Sequence, residues 1–211
     1  MKAAATILAS LFICAGLLQS VANGTIITNG DFETGNLSPW TADPGPNGDS
    51  ISVVNVSGGY YGAPVSSATN GNHAVAFNSG NSSAGGTLSQ TFTSTLGLTY
   101  DVQFQYTTNT GSQSLAASVV GEAGSLGSET ATGNYSSLQT FSFDFVGDGD
   151  LDTLEFYDLP ANNSSGEDGV LDNVSISPVS VPEPSSILIL ALGALGLTLG
   201  AARNRTRRSE L

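Results

Sequence analysis

From Tyr100 to Tyr106 apolar and polar side chains alternate without a break: Tyr100, Val102, Phe104 and Tyr106 against Asp101, Gln103 and Gln105. A period of two sends the two sets to opposite faces of an extended chain, so the pattern predicts a strand with one buried and one wet face. Phe141, Phe143 and Phe145 repeat the alternation around Ser142 and Asp144. Further strands are expected at residues 25–28, 51–56, 74–77, 87–93, 114–120, 153–157 and 170–177. Turn formers separate them: Gly58-Gly59, Asn70-Gly71-Asn72, residues 79–86, 147–150 and 162–169. Between the two chain ends no segment keeps a helical period over three turns. Short strands at this rhythm predict an all-β, two-sheet sandwich.

The two ends break the pattern, each in its own way. Lys2 precedes a stretch, residues 3–18, that is nearly all apolar or small, and Ser20-Val21-Ala22 supplies small residues where a signal peptidase reads. This is the layout of a secretory signal, predicting a signal helix over residues 1–22 and a mature chain beginning near Asn23. A retained transmembrane helix is the alternative, disfavoured by the short run and its cleavage-like end. At the other end Val181-Pro182-Glu183-Pro184-Ser185-Ser186 leads into an apolar run at residues 187–202, and Arg203, Arg205, Arg207 and Arg208 follow. The arginines would stay on the cytoplasmic side, leaving the preceding chain outside. The run is 16 residues long, whereas a helix rising ~1.5 Å per residue needs about 20 to span the hydrocarbon core. Gly193, Gly196 and Gly200 allow close helix approach in lipid. A short, glycine-spaced helix fits transient residence in the membrane better than the alternative, a permanent anchor. Three regions follow: a signal peptide at 1–22, a β-sandwich at 23–178 and a sorting region at 179–211.

Setting the ends aside changes the meaning of the composition. The five basic residues are Lys2 and the four tail arginines, so residues 23–185 contain no lysine or arginine. Of the 18 acidic residues only Glu210 lies beyond them, and the chain's net charge of −13 becomes one near −17 once both ends are removed. Such a surface repels phosphate backbones and excludes nucleic acid as a partner, but attracts divalent cations. The single cysteine, Cys14, falls in the signal segment, which leaves no disulfide and no thiolate chemistry.

The order Pro-Glu-Pro, apolar run, arginine cluster, spanning Val181 to Arg208, resembles the PEP-CTERM sorting signal of Gram-negative bacteria. The resemblance implies recognition and release by a membrane-embedded, transpeptidase-like exosortase. The protein would then reside at the cell surface or in the extracellular matrix. A second resemblance lies in the sandwich. Asn29-Gly30-Asp31-Phe32-Glu33, with Gly35 and Trp40 after it, looks like the opening of galactose-binding-like jelly rolls, including several carbohydrate-binding modules. Leu88-Ser89-Gln90-Thr91-Phe92 with Leu98-Thr99-Tyr100 is similar to their middle strands, and residues 169–176 to their closing strand. The likeness implies a jelly-roll sandwich with Trp40 facing the core. It also implies a structural calcium joining first and last strands, with Glu33 and Asp172, and with them Asp31, as carboxylate ligands. The competing reading makes these three acids solvated turn residues.

Other candidates come from the residues themselves. Asp148, Asp150 and Asp152 alternate like the start of an EF-hand loop, but position twelve is Leu159 rather than a glutamate and no helix flanks them. The simpler expectation is a polar hairpin turn between Phe145 and Leu154, with millimolar calcium binding as its most active role. Sugar binding needs aromatic faces and polar groups that fix hydroxyls. Tyr60 and Tyr61, in a glycine-flanked loop, are the candidate platform, with Asn70, Asn72, Asn78 and Asn81 as hydrogen-bonding neighbours. His73 is the only histidine, and without lysine, arginine or cysteine there is no zinc cluster, Schiff base or cationic oxyanion clamp. His73 reads most simply as a strand-start residue. Paired carboxylates for glycoside hydrolysis remain available by count alone. The expected protein is therefore an exported, non-catalytic surface or exopolysaccharide-matrix protein, structural or adhesive. A polysaccharide-binding module is the alternative and a secreted hydrolase a distant third. Expected partners are signal peptidase, exosortase, extracellular polysaccharide and, transiently, the membrane through residues 187–202.

Overall fold

The structure, a computed structural model, describes residues 25–57, 71–79, 82–108, 113–133, 138–159 and 169–179. The signal segment, the sorting region from Val181 to Arg208, and Tyr60 and Tyr61 lie outside the described residues, as do the two helices expected at the chain ends.

The alternating segments form strands where the period-two pattern places them. The order is β1 (Thr41–Asp43), β2 (Ser52–Asn55), β3 (His73–Phe77), β4 (Thr87–Thr93) and β5 (Thr99–Thr108). Then come β6 (Ser114–Gly121), β7 (Gly124–Thr132), β8 (Gln139–Val146), β9 (Leu151–Asp158) and β10 (Gly169–Pro178). They make two five-stranded antiparallel sheets, β1-β4-β9-β6-β7 and β2-β3-β10-β5-β8. The inward set of β5, Tyr100, Val102, Phe104 and Tyr106, is buried together with Leu88, Leu115, Leu154, Phe156 and Ile176 of other strands. Each such side chain stabilises the fold by about 1.5–3 kcal/mol through removal from water. Trp40 packs between Phe32 and Phe156 at centroid distances of 5.7 and 6.1 Å, and its Nε1–H donates to Asn29 O at 3.0 Å. It is core, as its place in the opening motif implied.

Two strands, β1 and β7, escape sequence reading. Both are outermost strands of the first sheet, so each has one neighbour to pack on; β1 is wholly exposed and β7 buries only Ala131. Residues 25–28 fail as a regular strand for a different reason. Ile26 N donates to Ile176 O at 3.0 Å, which aligns the segment beside β10. Thr28, however, gives its N–H to Gln90 Oε1 and its carbonyl to Gln90 Nε2, both at 2.9 Å. Gln90 belongs to the opposite sheet, so these groups are diverted from any ladder.

The loop at 147–150 also differs from expectation. It is not a hairpin turn, because β8 and β9 belong to different sheets. It crosses the end of the sandwich, and the alternation of β9 then turns Asp152 inward with Leu154 and Phe156.

Candidate functional site

The opening motif acquires a physical meaning once it is laid along β10. Val174 N donates to Gly30 O at 2.8 Å, and a β-carbon at residue 30 would collide with Val174 O, so only glycine permits this approach. Phe32 is fully buried and holds a positive φ of 54°, a costly conformation for an aromatic residue. Asn29 and Asn173, at φ 53° and 50°, share the left-handed region at the same place. Strain of this kind concentrates where the backbone is being aimed.

Glu33 reaches across to the start of β3. Its Oε1 accepts the N–H groups of Asn72 at 2.8 Å and His73 at 2.7 Å, and its Oε2 lies 3.5 Å from His73 Nδ1. A β-carbon on Gly71 would occupy the space of this carboxylate. Burial pushes the Glu33 carboxyl up, but the two backbone donors and the imidazole outweigh it and hold its pKa below the ordinary value. His73 does begin β3, and its side chain is engaged with Glu33.

Asp172, 1% exposed, sits in β10 opposite Gln105 where the register slips by a bulge. Its Oδ1 accepts Asn173 N at 2.7 Å. Burial raises its pKa to about 7 against that hydrogen bond, with the charges of Glu33 and Asp31 adding to the rise. Asp31, Glu33 and Asp172 thus share one electrostatic neighbourhood. Among the described residues, however, no three acidic, histidine or cysteine side chains gather closely enough to hold a metal by themselves. The donors are hard oxygens suited to calcium, and carbonyl oxygens would have to complete the shell.

Beside this junction the outer face of the second sheet carries a groove of about 480 Å³. Gln103 and Gln105 of β5, Thr140 of β8, and Asn173 and Ser175 of β10 line it, with Asn29 and Asp31 at its rim. The residues that sequence alternation assigned to the wet face of β5 are its floor. Asn173 Nδ2 donates to Gln105 Oε1 at 2.7 Å, and Gln103 Nε2 donates to Asp101 Oδ2 at 2.6 Å, so the amides are held in position. Among the described residues Phe104 is the one aromatic in the lining, and it is fully buried. Tyr60 and Tyr61, the platform expected from the sequence, lie outside the described residues, and these amides are not among the contacts expected there. Their signal was the Gln103, Gln105 alternation itself, which reads as solvated surface until the sheet places β8 and β10 beside it. Of the asparagines expected near the sugar, Asn72 is exposed, whereas Asn78, directly after β3, is buried and unavailable. Asn70 and Asn81 lie outside the described residues.

Residues 180–208 match the PEP-CTERM protein-sorting motif. No curated protein matches the chain. Among solved structures the sandwich is similar to the CBM22-1 xylan-binding domain of Paenibacillus barcinonensis Xyn10C, at 13% identity and a TM-score of 0.54, over 77% of this chain and 99% of that one. It is also similar to TmCBM61, solved in complex with β-1,4-galactotriose, at 21% identity and a TM-score of 0.52, over 74% and 99%. A putative sugar-binding protein from Bacteroides thetaiotaomicron matches at 8% identity and a TM-score of 0.52, over 74% and 100%. The likeness is one of fold: the chain carries the sorting motif behind a carbohydrate-binding-module-like jelly roll.

Proposed function

We propose that this chain is an exported, exosortase-processed surface protein whose jelly roll binds polysaccharide through the groove on its second sheet and performs no chemistry on it. The observation that carries this reading is the set of pre-positioned amides and hydroxyls, Gln103, Gln105, Thr140, Asn173 and Ser175, facing one groove. Neutral donors and acceptors suit sugar hydroxyls, and they tolerate the strongly acidic surroundings. With no exposed ring in the described lining, affinity would come from hydrogen bonds along an extended chain.

The sorting motif supports export, signal peptidase cleavage, exosortase recognition of Val181-Pro182-Glu183-Pro184 and passage through the inner membrane. The product would remain at the surface or in the exopolysaccharide matrix of a Gram-negative cell. Structural calcium belongs to the same proposal: Glu33 and Asp172, with Asp31 and carbonyl oxygens, would hold it, and it would neutralise a buried acid in a domain, residues 23–178, that contains no lysine or arginine.

Affinity electrophoresis through gels cast with soluble xylan, galactan or the host exopolysaccharide tests the groove. Retardation is expected, and it should disappear in a Gln103→Ala, Gln105→Ala, Thr140→Ala variant that keeps the parent melting temperature. Retardation unchanged in that variant would move the binding surface elsewhere. No retardation in any polysaccharide would leave a purely structural matrix role.

A further inference from the structure

The loop at 147–150 crosses the end of the sandwich and sets its own half-buried Asp148 against the buried Asp152, a second pair of carboxylates apart from Asp31, Glu33 and Asp172. Asp152 is fully buried and both of its carboxylate oxygens lack a hydrogen-bond partner. Asp148 faces it. A β-carbon on Gly121, at the end of β6, would collide with Asp148 Oδ2 and lie 3.0 Å from Asp152 Oδ1, so the glycine leaves room for both acids. The loop is fixed around them. Gly147 N donates to Leu98 O at 2.9 Å, Gly97 N to Gly147 O at 2.8 Å and Ser94 N to Asp150 O at 3.2 Å. Asp148 Oδ1 is turned into the loop by Asp150 N at 3.1 Å.

A half-buried carboxylate beside a fully buried one repels it, and the repulsion is screened less than it would be in water. Burial raises the pKa of Asp152; the Ser94 hydroxyl, near it but without a well-formed hydrogen bond to either oxygen, opposes the rise, and Asp148 and Asp150 add to it. No lysine or arginine exists between residues 23 and 185 to neutralise the pair, and His73 is engaged with Glu33. The remaining counterions are a proton or a cation from outside.

We propose that Asp148 and Asp152 form a calcium site at this end of the sandwich, separate from the one that would join the first and last strands. Two carboxylates supply the charge, and neutral oxygens of the loop and water complete the shell. Calcium suits such an irregular arrangement, whereas magnesium demands a near-ideal octahedron and keeps several waters. An affinity of order 0.1–1 mM, usual for extracellular modules, would fill the site outside a cell. The chain leaves the domain close by, because Val179 N donates to Thr99 O at 2.9 Å and Leu98 is the residue that anchors Gly147. The cation would therefore brace the end of the sandwich from which the sorting region departs.

Calcium titration calorimetry on the chelator-stripped full chain, with magnesium as control, tests this site apart from the other. The expected result is one equivalent lost in an Asp148→Asn, Asp152→Asn variant while the Asp172→Asn variant retains it. Calcium should also raise the melting temperature of Asp172→Asn but raise that of Asp148→Asn, Asp152→Asn less than it raises the parent. Asparagine keeps the shape and removes the repulsion, so folding of the variant is not at risk. The same stoichiometry and affinity in Asp148→Asn, Asp152→Asn as in the parent would overturn the site. So would absence of calcium binding with a higher melting temperature for Asp152→Asn at pH 7, which would identify a pair sharing a proton.

Discussion

Asp172 and Asp152 are both buried aspartates with acidic neighbours in a domain without lysine or arginine, yet their surroundings solve the problem differently. Asp172 has a backbone N–H on Oδ1, and its neighbour Glu33 is held by two more N–H groups and an imidazole. Asp152 has no hydrogen-bond partner on either oxygen. The first cluster is anchored by backbone donors drawn from two distant segments of the chain, residues 72–73 and Asn173. The second is contained by a clamped loop and relies on something that arrives from solution. Burial of an acid does not by itself say which device keeps it; the donors around it do.

The largest effect that would sharpen this contrast is the pH dependence of Asp172. Its folded pKa of about 7 lies above the ordinary 3.8, so between these values the folded state binds the extra proton. The stability it contributes is complete below about pH 4 and is lost as pH rises through 7, by up to ~4 kcal/mol in all. Chemical denaturation of the chelator-treated chain at pH 4, 6 and 8 should show the fall, and Asp172→Asn should flatten it. Asp152 is shifted in the same direction, so a residual slope in Asp172→Asn should shrink further in the Asp152→Asn double variant.

Next in size is Gly30→Ala. Its β-carbon meets the backbone of β10 rather than a movable side chain, so a loss of about 3 kcal/mol is expected by denaturant melting. A loss below 1 kcal/mol would mean that residues 25–30 are not tied to β10. Glu33→Gln should cost about 1 kcal/mol, since the carboxylate is partly exposed but accepts two backbone N–H groups. Its sign with pH is opposite to that of Asp172: a lowered pKa contributes stability above the ordinary carboxylate range and loses it on acidification. The smallest effect belongs to Gly121→Ala. There the obstacle is the carboxylate end of Asp148, which can swing aside at a cost under about 1 kcal/mol. The substitution should nevertheless reduce calcium binding at Asp148 and Asp152, separating the site from the fold.

Most of the sandwich was legible because its strands alternate. Tyr100 to Tyr106 and Phe141 to Phe145 declare their buried faces without reference to any other segment. Strand β7 did not, since it buries only Ala131, and residues 25–28 did not, since Gln90 of the other sheet takes the hydrogen bonds of Thr28. The carboxylates were visible individually. What could not be read was that β8 and β9 part to different sheets, which turns an apparent surface turn into the lid over a buried acid. The groove was hidden for a related reason: Gln103, Gln105, Thr140 and Asn173 converge only through the order β10-β5-β8.

That same order has a mechanical consequence. The described chain departs through β10, an inner strand with β5 along its length on one side, and β3 followed by residues 26–30 on the other. A pull at Val179 would load these hydrogen bonds along the strand axis, where many must slip at once, instead of peeling them singly from an edge. A domain tethered or tugged from its C-terminal side is thereby gripped at the middle of a sheet. Load would reach the groove on that sheet before the fold gave way.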